Sequence, residues 1–476
     1  MKIEQIYTGC LAQGAYYIES NGEVAIVDPL REVQPYLDKA AKDNATIKYI
    51  FETHFHADFV SGHVTLAEKA NAPIIYGPNA NPSYKAHIAK DGEVFKLGNI
   101  TITVLHTPGH TMESTTYLLK DENGKDHAIF SGDTLFLGDV GRPDLAQKAA
   151  NLTQEQLAAT LYQSLRTKIM PLADDVIVYP AHGAGSACGK NLSKETIGTL
   201  GEQKQTNYAL RADMTEAEFV KEVTDGLLPP PAYFPLNVKL NKEGYENVET
   251  IINNNKALSA KDFQAFADES GAILLDVRPA SEFASGHIPG AIFIGLDGQF
   301  APWVGALITD IKQPILLITP EGREEEAIIR LSRVGYDNTL GYLEGGFEAW
   351  KKDGNEYDTV QQITAEEFKE KLANDPIPVL DVRKKGEYNA AHIEYNNLTN
   401  SPLDYINENI TDFPTTGKFY IHCAGGYRSL IASSILKARG YHNMIDVIGG
   451  FGAIKNTGIT LEEGGSCSST CSTTKQ

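Results

Sequence analysis

A long internal repeat constrains this chain more than any other feature. Leu275-Asp276-Val277-Arg278 recurs as Leu380-Asp381-Val382-Arg383, 105 residues further on (276 to 381). Ser285-Gly286-His287-Ile288 returns at the same offset as Ala390-Ala391-His392-Ile393, and Gly335-Tyr336 as Gly440-Tyr441. Gly345-Gly346-Phe347 returns one residue closer, as Gly449-Gly450-Phe451. A period this long is far above solenoid spacing, so it marks two copies of one small domain. Inside each copy short apolar runs (Ala272 to Leu275, Ile315 to Ile318, Val379-Leu380, Phe419 to Ile421) alternate with amphipathic stretches at Glu325 to Val334 and Ser429 to Arg439. That alternation predicts an α/β fold, a parallel sheet with helices on both faces.

The first half is built differently. Glu23 to Asp28, Lys48 to Glu52, Ile100 to Leu105, Ala128 to Ser131 and Val176 to Tyr179 read as strands. Each of the last four runs into a polar loop that carries a candidate metal ligand: His54, His110, Asp133 and His182. Ligands at strand ends along one edge of a sheet sandwich can converge, as scattered histidines cannot. The richest loop is Thr53-His54-Phe55-His56-Ala57-Asp58-Phe59, a His-x-His-x-Asp run. Asp28 closes the first of these strands, as a structural aspartate or a turn residue. His63 and His106 are expected to be packing or structural histidines.

At 476 residues the chain suits two to four domains. We expect five segments: residues 1–240; a polar linker at 241–256, after the stiff Pro229-Pro230-Pro231; the two copies at 257–357 and 362–462; and a flexible tail at 463–476. The net charge of −20 argues against nucleic acid, and no apolar run is long enough for a membrane span. A cytoplasmic location is expected. Five cysteines, at 10, 188, 423, 467 and 471, suggest free thiols and not a disulfide scaffold.

On these loops, residues 1 to about 240 resemble the metallo-β-lactamase superfamily, which implies an αββα sandwich. In the hydrolytic branch of that family the residue after the motif aspartate supplies a ligand to a second metal. Here it is Phe59, which has no donor atom. The persulfide dioxygenase branch is a closer match. That resemblance implies one Fe(II) per chain held by His54, His110 and Asp133, a set that leaves positions open for O2 and a thiol persulfide. His56, Asp58 and His182 would then orient ligands and waters. Gly138-Asp139-Val140-Gly141-Arg142-Pro143-Asp144 resembles the family loop in which Arg142 approaches a substrate carboxylate; a loop-bracing pair with Asp144 is the other reading. Cys188, in Gly185-Ser186-Ala187-Cys188-Gly189-Lys190, is a candidate sulfur relay on a loop expected to be exposed.

In the second copy, Ile421-His422-Cys423-Ala424-Gly425-Gly426-Tyr427-Arg428-Ser429 places a cysteine between a strand and a glycine-rich loop that opens a helix. Backbone N–H groups and the helix start would stabilise an anion there and favour the thiolate of Cys423. Arg428 would add fixed positive charge. The run resembles the rhodanese active loop, whose cysteine carries a persulfide. A phosphatase loop is longer by one residue between cysteine and arginine. The first copy reads Ile318-Thr319-Pro320-Glu321-Gly322-Arg323 at this place and lacks the nucleophile, so it is expected to be a spacer or docking module.

Together the two resemblances imply an enzyme that oxidises a low-molecular-weight persulfide with O2 to sulfite. Cys423 would then pass sulfane sulfur to sulfite, giving thiosulfate, as in sulfide detoxification. Association of like chains is compatible with this reading. Two alternatives stand beside it: a dizinc thioester hydrolase of the glyoxalase II type fused to rhodanese, and a non-catalytic sulfur-responsive binding protein.

Overall fold

The computed structural model describes residues 1–227 and 229–463. The expected tail, with Cys467 and Cys471, falls almost wholly outside the described residues. The chain divides into two compact units. The first comprises residues 1–254 together with 301–312 and 328–338; the second comprises 255–300, 313–327 and 339 onward.

The first unit holds two six-stranded sheets. One runs Lys2–Thr8, Gln13–Ser20, Glu23–Val27, Thr46–Phe51, Ile74–Tyr76, His87–Ile88; the other runs Gly198–Thr199, Ile177–Pro180, Asp126–Gly132, Thr115–Lys120, Ile100–His106, Val94–Leu97. Alternation explains how they face each other. In Ile100–His106 the residues Ile100, Ile102 and Val104 are buried while Thr101 and Thr103 are half-buried. The buried set meets Tyr16, Ile18, Val27, Phe51, Tyr117 and Phe130 between the sheets. Each such fully buried apolar side chain contributes about 1.5–3 kcal/mol. Helices cover the outer faces: Gln34–Lys42 over one sheet, Gln154–Ser164 and Glu216–Thr224 over the other. This is the expected αββα sandwich.

Residues 241–256 differ from the expected linker. Phe234–Glu243 and Val248–Asn254 are helices, and Asn241, Val248 and Ile251 are buried. The first unit also contains a buried cation whose partners come from distant sequence. Arg31, whose side chain is fully buried, donates to both carboxylate oxygens of Asp337 (2.9 and 2.7 Å), to Ser332 O (2.7 Å) and to Glu246 O (2.8 Å).

The second unit shows the repeat in three dimensions. Its first sheet is ordered Lys256–Leu258, Thr339–Leu343, Ile315–Ile318, Ile273–Asp276, Ile292–Phe293. Its second is ordered Gln362–Ile363, Met444–Val447, Phe419–His422, Val379–Asp381, Leu398–Asn400. All neighbours in both are parallel. The repeated Asp-x-Arg is a structural clamp in each copy. Arg278 pairs with Asp276 (2.6 Å) and donates to Gly286 O (2.8 Å); Arg383 pairs with Asp381 (2.6 Å) and donates to Ala391 O (2.8 Å).

Candidate functional site

Two loops of the first unit approach so closely that only glycine fits between them. Gly132, at φ +53°, precedes Asp133, and a Cβ there would lie 2.7 Å from Thr53. Thr53 in turn precedes His54, so this contact brings one ligand-bearing loop onto the other. Asp28 ties the arrangement down: its carboxylate accepts from Thr53 N and from Thr53 Oγ1, both at 2.8 Å.

Three histidines present the same ring nitrogen to one carboxylate. His110 Nδ1 lies 2.8 Å from Arg142 O, and a carbonyl only accepts, so Nδ1 carries the proton and Nε2 keeps a lone pair for a metal. His182 Nδ1 faces Ala12 O at 3.2 Å with the same consequence. Thr53 Oγ1 spends its proton on Asp28 and therefore accepts from His54 Nδ1 at 3.0 Å. The three Nε2 atoms converge on Asp133. His110 and His54 lie 3.4 and 3.9 Å from Oδ2, and His182 lies 3.6 Å from Oδ1. Neither Asp133 oxygen has a hydrogen-bond partner, although the residue is buried. A buried carboxylate left so is costly unless a cation joins it. His54, His110 and Asp133 therefore fit one divalent ion, with two imidazoles and a carboxylate on one side.

His56 lies outside this trio and in a second buried group, with Asp58 and His182, whose ligand atoms all lie within 4.8 Å of one another. Its Nε2 is 3.1 Å from Asp28 Oδ1 and 3.8 Å from Glu52 Oε2. Burial alone would pull the imidazole down, but the Asp28 and Glu52 carboxylates raise it to about 9. His54 is held well below the usual histidine range, first by burial and then by its neighbouring imidazoles. Asp58 lies 3.5 Å from His182 Nε2, and burial pushes its carboxyl up. Phe59 is fully buried, its ring 4.4 Å from that of His56. His63 is buried, with Nε2 2.6 Å from Tyr84 Oη, and His106 Nε2 donates to Met112 O (2.9 Å); both are structural.

Cys188 differs from the sequence reading, while Arg142 forms the loop-bracing pair that was the second of its two readings. Cys188, expected to be exposed, is buried and grouped with Asp133 and His182. Its loop is turned inward because Arg142 N donates to Cys188 O (3.0 Å) and Arg142 Nη1 to Ala187 O (3.2 Å). Burial, then the Asp58 and Asp133 carboxylates, push its thiol well above the ordinary range. Arg142 itself is buried in a two-point pair with Asp144, at 2.7 Å each.

One positioning residue was missed. Asn241 Nδ2 donates to His56 O and to Phe59 O, both at 2.8 Å, while its Oδ1 accepts from Ser61 N at 2.9 Å. It splints the motif loop from a helix more than 180 residues away in sequence. No local motif marks it.

In the second unit, Cys423 is buried at the end of strand Phe419–His422, before helix Tyr427–Ala438. Gly426, at φ +98°, aims its N–H at Cys423 Sγ (3.1 Å). Arg428 is engaged at two points by Glu387, at 2.6 and 2.7 Å. In the first copy Thr319 follows strand Ile315–Ile318 as Cys423 follows Phe419–His422, and Glu324 stands in the place of Arg428. The Glu324 carboxylate accepts from Gly322 N (3.1 Å) and Thr319 Oγ1 (3.3 Å), so an internal anion fills that loop.

Comparison with known proteins agrees with both architectures. A metallo-beta-lactamase superfamily model matches residues 8–182, and a rhodanese-like domain model matches 259–353 and 364–457. The chain is 29% identical over 228 residues to a probable hydroxyacylglutathione hydrolase of Schizosaccharomyces pombe, covering 43% of this chain and 83% of that protein. It is 31% identical over 187 residues to the cytoplasmic hydroxyacylglutathione hydrolase of Arabidopsis thaliana, covering 38% and 67%. A solved metallo-beta-lactamase structure from Staphylococcus aureus subsp. aureus COL is similar over 72% of this chain and 99% of that one, with TM-score 0.64 and 33% identity. No helix among the described residues is long and apolar enough to cross a membrane. The chain belongs to the metallo-β-lactamase superfamily, as a metallo-β-lactamase domain followed by two rhodanese-like domains.

Proposed function

We propose that this chain is a persulfide dioxygenase joined to a sulfurtransferase, with Fe(II) at His54, His110 and Asp133. One observation carries the reading: the two-histidine, one-carboxylate group of His54, His110 and Asp133 is complete, while Phe59, buried beside the group of His56, Asp58 and His182, brings no donor to it. The chemistry Fe(II) supplies when bound is the activation of O2 toward a neighbouring sulfur. The chain's own residues do the rest. Arg142 O, Thr53 and Ala12 O fix the imidazole tautomers, and Asp28 and Asn241 hold the motif loop. One persulfide, one O2 and one water balance to thiol, sulfite and two protons. Cys423, beneath the Gly426 N–H, suits a persulfide carried to sulfite, with thiosulfate as the product.

Oxygen uptake by iron-loaded protein, supplied with a panel of small-thiol persulfides, tests the reading. Turnover with about one iron per chain supports it; no uptake with any persulfide overturns it.

A second reading rests on a specific feature. Asp133 divides its oxygens, Oδ2 toward His54 and His110 and Oδ1 toward His182, with Asp58 beside His182. A carboxylate so placed can bridge two ions, and the fission yeast and Arabidopsis relatives are named as hydroxyacylglutathione hydrolases. About two zinc ions per chain with hydrolysis of a glutathione thioester would favour that reading.

A further inference from the structure

The cysteine-free copy holds no nucleophile, and its loop is closed by Glu324, so it is not a second sulfur carrier. What it does hold is the active loop of the other copy. Tyr427 opens the helix that leaves that loop, next to Gly426, whose N–H reaches Cys423 Sγ. The Tyr427 hydroxyl donates to Gly295 O of the first copy at 2.8 Å. Its ring packs edge-on against Phe293, with centroids 5.6 Å apart. Gly298 lies so close to the ring that a Cβ there would sit 2.3 Å from it. Further along the same helix, Ser434 Oγ accepts from Phe293 N at 2.9 Å, and Lys437 pairs with Asp358 at 2.8 Å. Every residue from Ser429 to Leu436 is buried, as befits a helix covered on more than one side.

We propose that the first rhodanese-like copy is a positioning platform for the Cys423 loop, with Tyr427 as its handle and the Gly295–Gly298 turn as its grip. The physical argument is that a glycine at φ +98° has no side chain to fix its peptide plane. The Gly426 N–H belongs to the peptide it shares with Gly425, another residue without a side chain, so the loop is restrained from its far end, where Tyr427 is anchored at ring and hydroxyl. Pre-oriented backbone donors at an anion cost no reorganisation when charge develops, which is why loosening one lowers turnover and not affinity. Tyr427 thus acts through Gly426; it is a positioning residue.

This inference rests on the sulfurtransferase half of the reading above. The test uses the full-length chain, thiosulfate as donor and cyanide as acceptor, with peptide-resolved iodoacetamide alkylation of Cys423. Gly298→Ala and Tyr427→Ala should each lower kcat about tenfold to a hundredfold, with KM for thiosulfate changed less than about twofold. Alkylation of Cys423 at fixed pH should slow in parallel. Tyr427→Phe, which keeps the ring, should recover most of the activity. Gly298→Ala combined with Tyr427→Ala should be no worse than Tyr427→Ala alone, because the added methyl then has no ring to displace. Unchanged oxygen uptake and circular dichroism report that the variants fold. Wild-type kcat in Gly298→Ala and Tyr427→Ala overturns the proposal, as does a loss carried by KM or a double variant with additive losses. An unreactive wild-type Cys423 would instead sink the sulfurtransferase reading, and this inference with it.

Discussion

The phenyl ring of Phe59 lies against the imidazole of His56, centroids 4.4 Å apart and planes 35° from parallel. An apolar side chain thus follows a motif whose donors, His54, His56 and Asp58, are all buried. Phe59→His should add a donor beside His56, a member of the group it forms with Asp58 and His182. Zinc content after metal loading should rise from about one to about two equivalents, and persulfide-dependent oxygen uptake should fall, as read by metal analysis and an oxygen electrode. Replacing a fully buried phenyl ring also costs stability, roughly 2 kcal/mol.

Asn241→Ala removes one splint and leaves three backbone groups of the motif loop without a partner. The expected loss is about 2–4 kcal/mol of stability. Metal affinity should weaken about 10- to 100-fold through misplaced ligands, although Asn241 belongs to none of the ligand groups. Denaturant unfolding of the metal-free protein and metal competition titrations separate the two effects.

The two chemistries should come apart by mutation. Asp133→Ala should abolish oxygen uptake and spare thiosulfate-to-cyanide sulfur transfer. Cys423→Ser should abolish sulfur transfer and leave oxygen uptake, with sulfite accumulating in place of thiosulfate. Chromatographic measurement of sulfite and thiosulfate decides it; loss of both activities in both variants would refute the division.

Asp446 sits in the core of the second unit, and burial pushes its carboxyl up to about 6, against the opposing pull of its Ser429 and Gln362 neighbours. Its folded value lies above the ordinary carboxylate value, so the native state binds the proton more tightly than the unfolded chain. Stability is then highest below the unfolded pKa and is lost as pH rises through about 6. Asp446→Asn should remove that dependence and raise stability at neutral pH by roughly 2–3 kcal/mol. Melting curves of both proteins between pH 5 and about 8 provide the check.

Much of the site could be read from sequence because its ligands follow apolar runs in a fixed order. Strands Thr46–Phe51, Ile100–His106, Asp126–Gly132 and Ile177–Pro180 lie within a few residues of the runs that suggested them. The two copies were legible because Asp-x-Arg clamps and glycine pairs recur at constant spacing. Other features were not. Asn241 works through distant backbone groups and looks like any polar helix residue. The glycines around Cys188 suggested exposure, but Arg142 turns that loop inward through contacts no local pattern records. At the 105-residue offset Arg323 falls opposite Arg428; only the strand ends shift the match by one, to Glu324, and the fold shows that carboxylate filling the loop.

The buried Arg31 makes the boundary of the repeat misleading as a place to cut. Cleaving the chain after Asn254 would leave the ββ sandwich whole in outline but would take away Asp337 and the Ser332 carbonyl. A guanidinium sealed from water would then lose its countercharge, a loss of about 3–5 kcal/mol when one partner of a buried pair is removed. An isolated N-terminal half should therefore be poorly soluble or short-lived, for reasons unrelated to metal or sulfur. Part of one evolutionary module has become structural furniture of another.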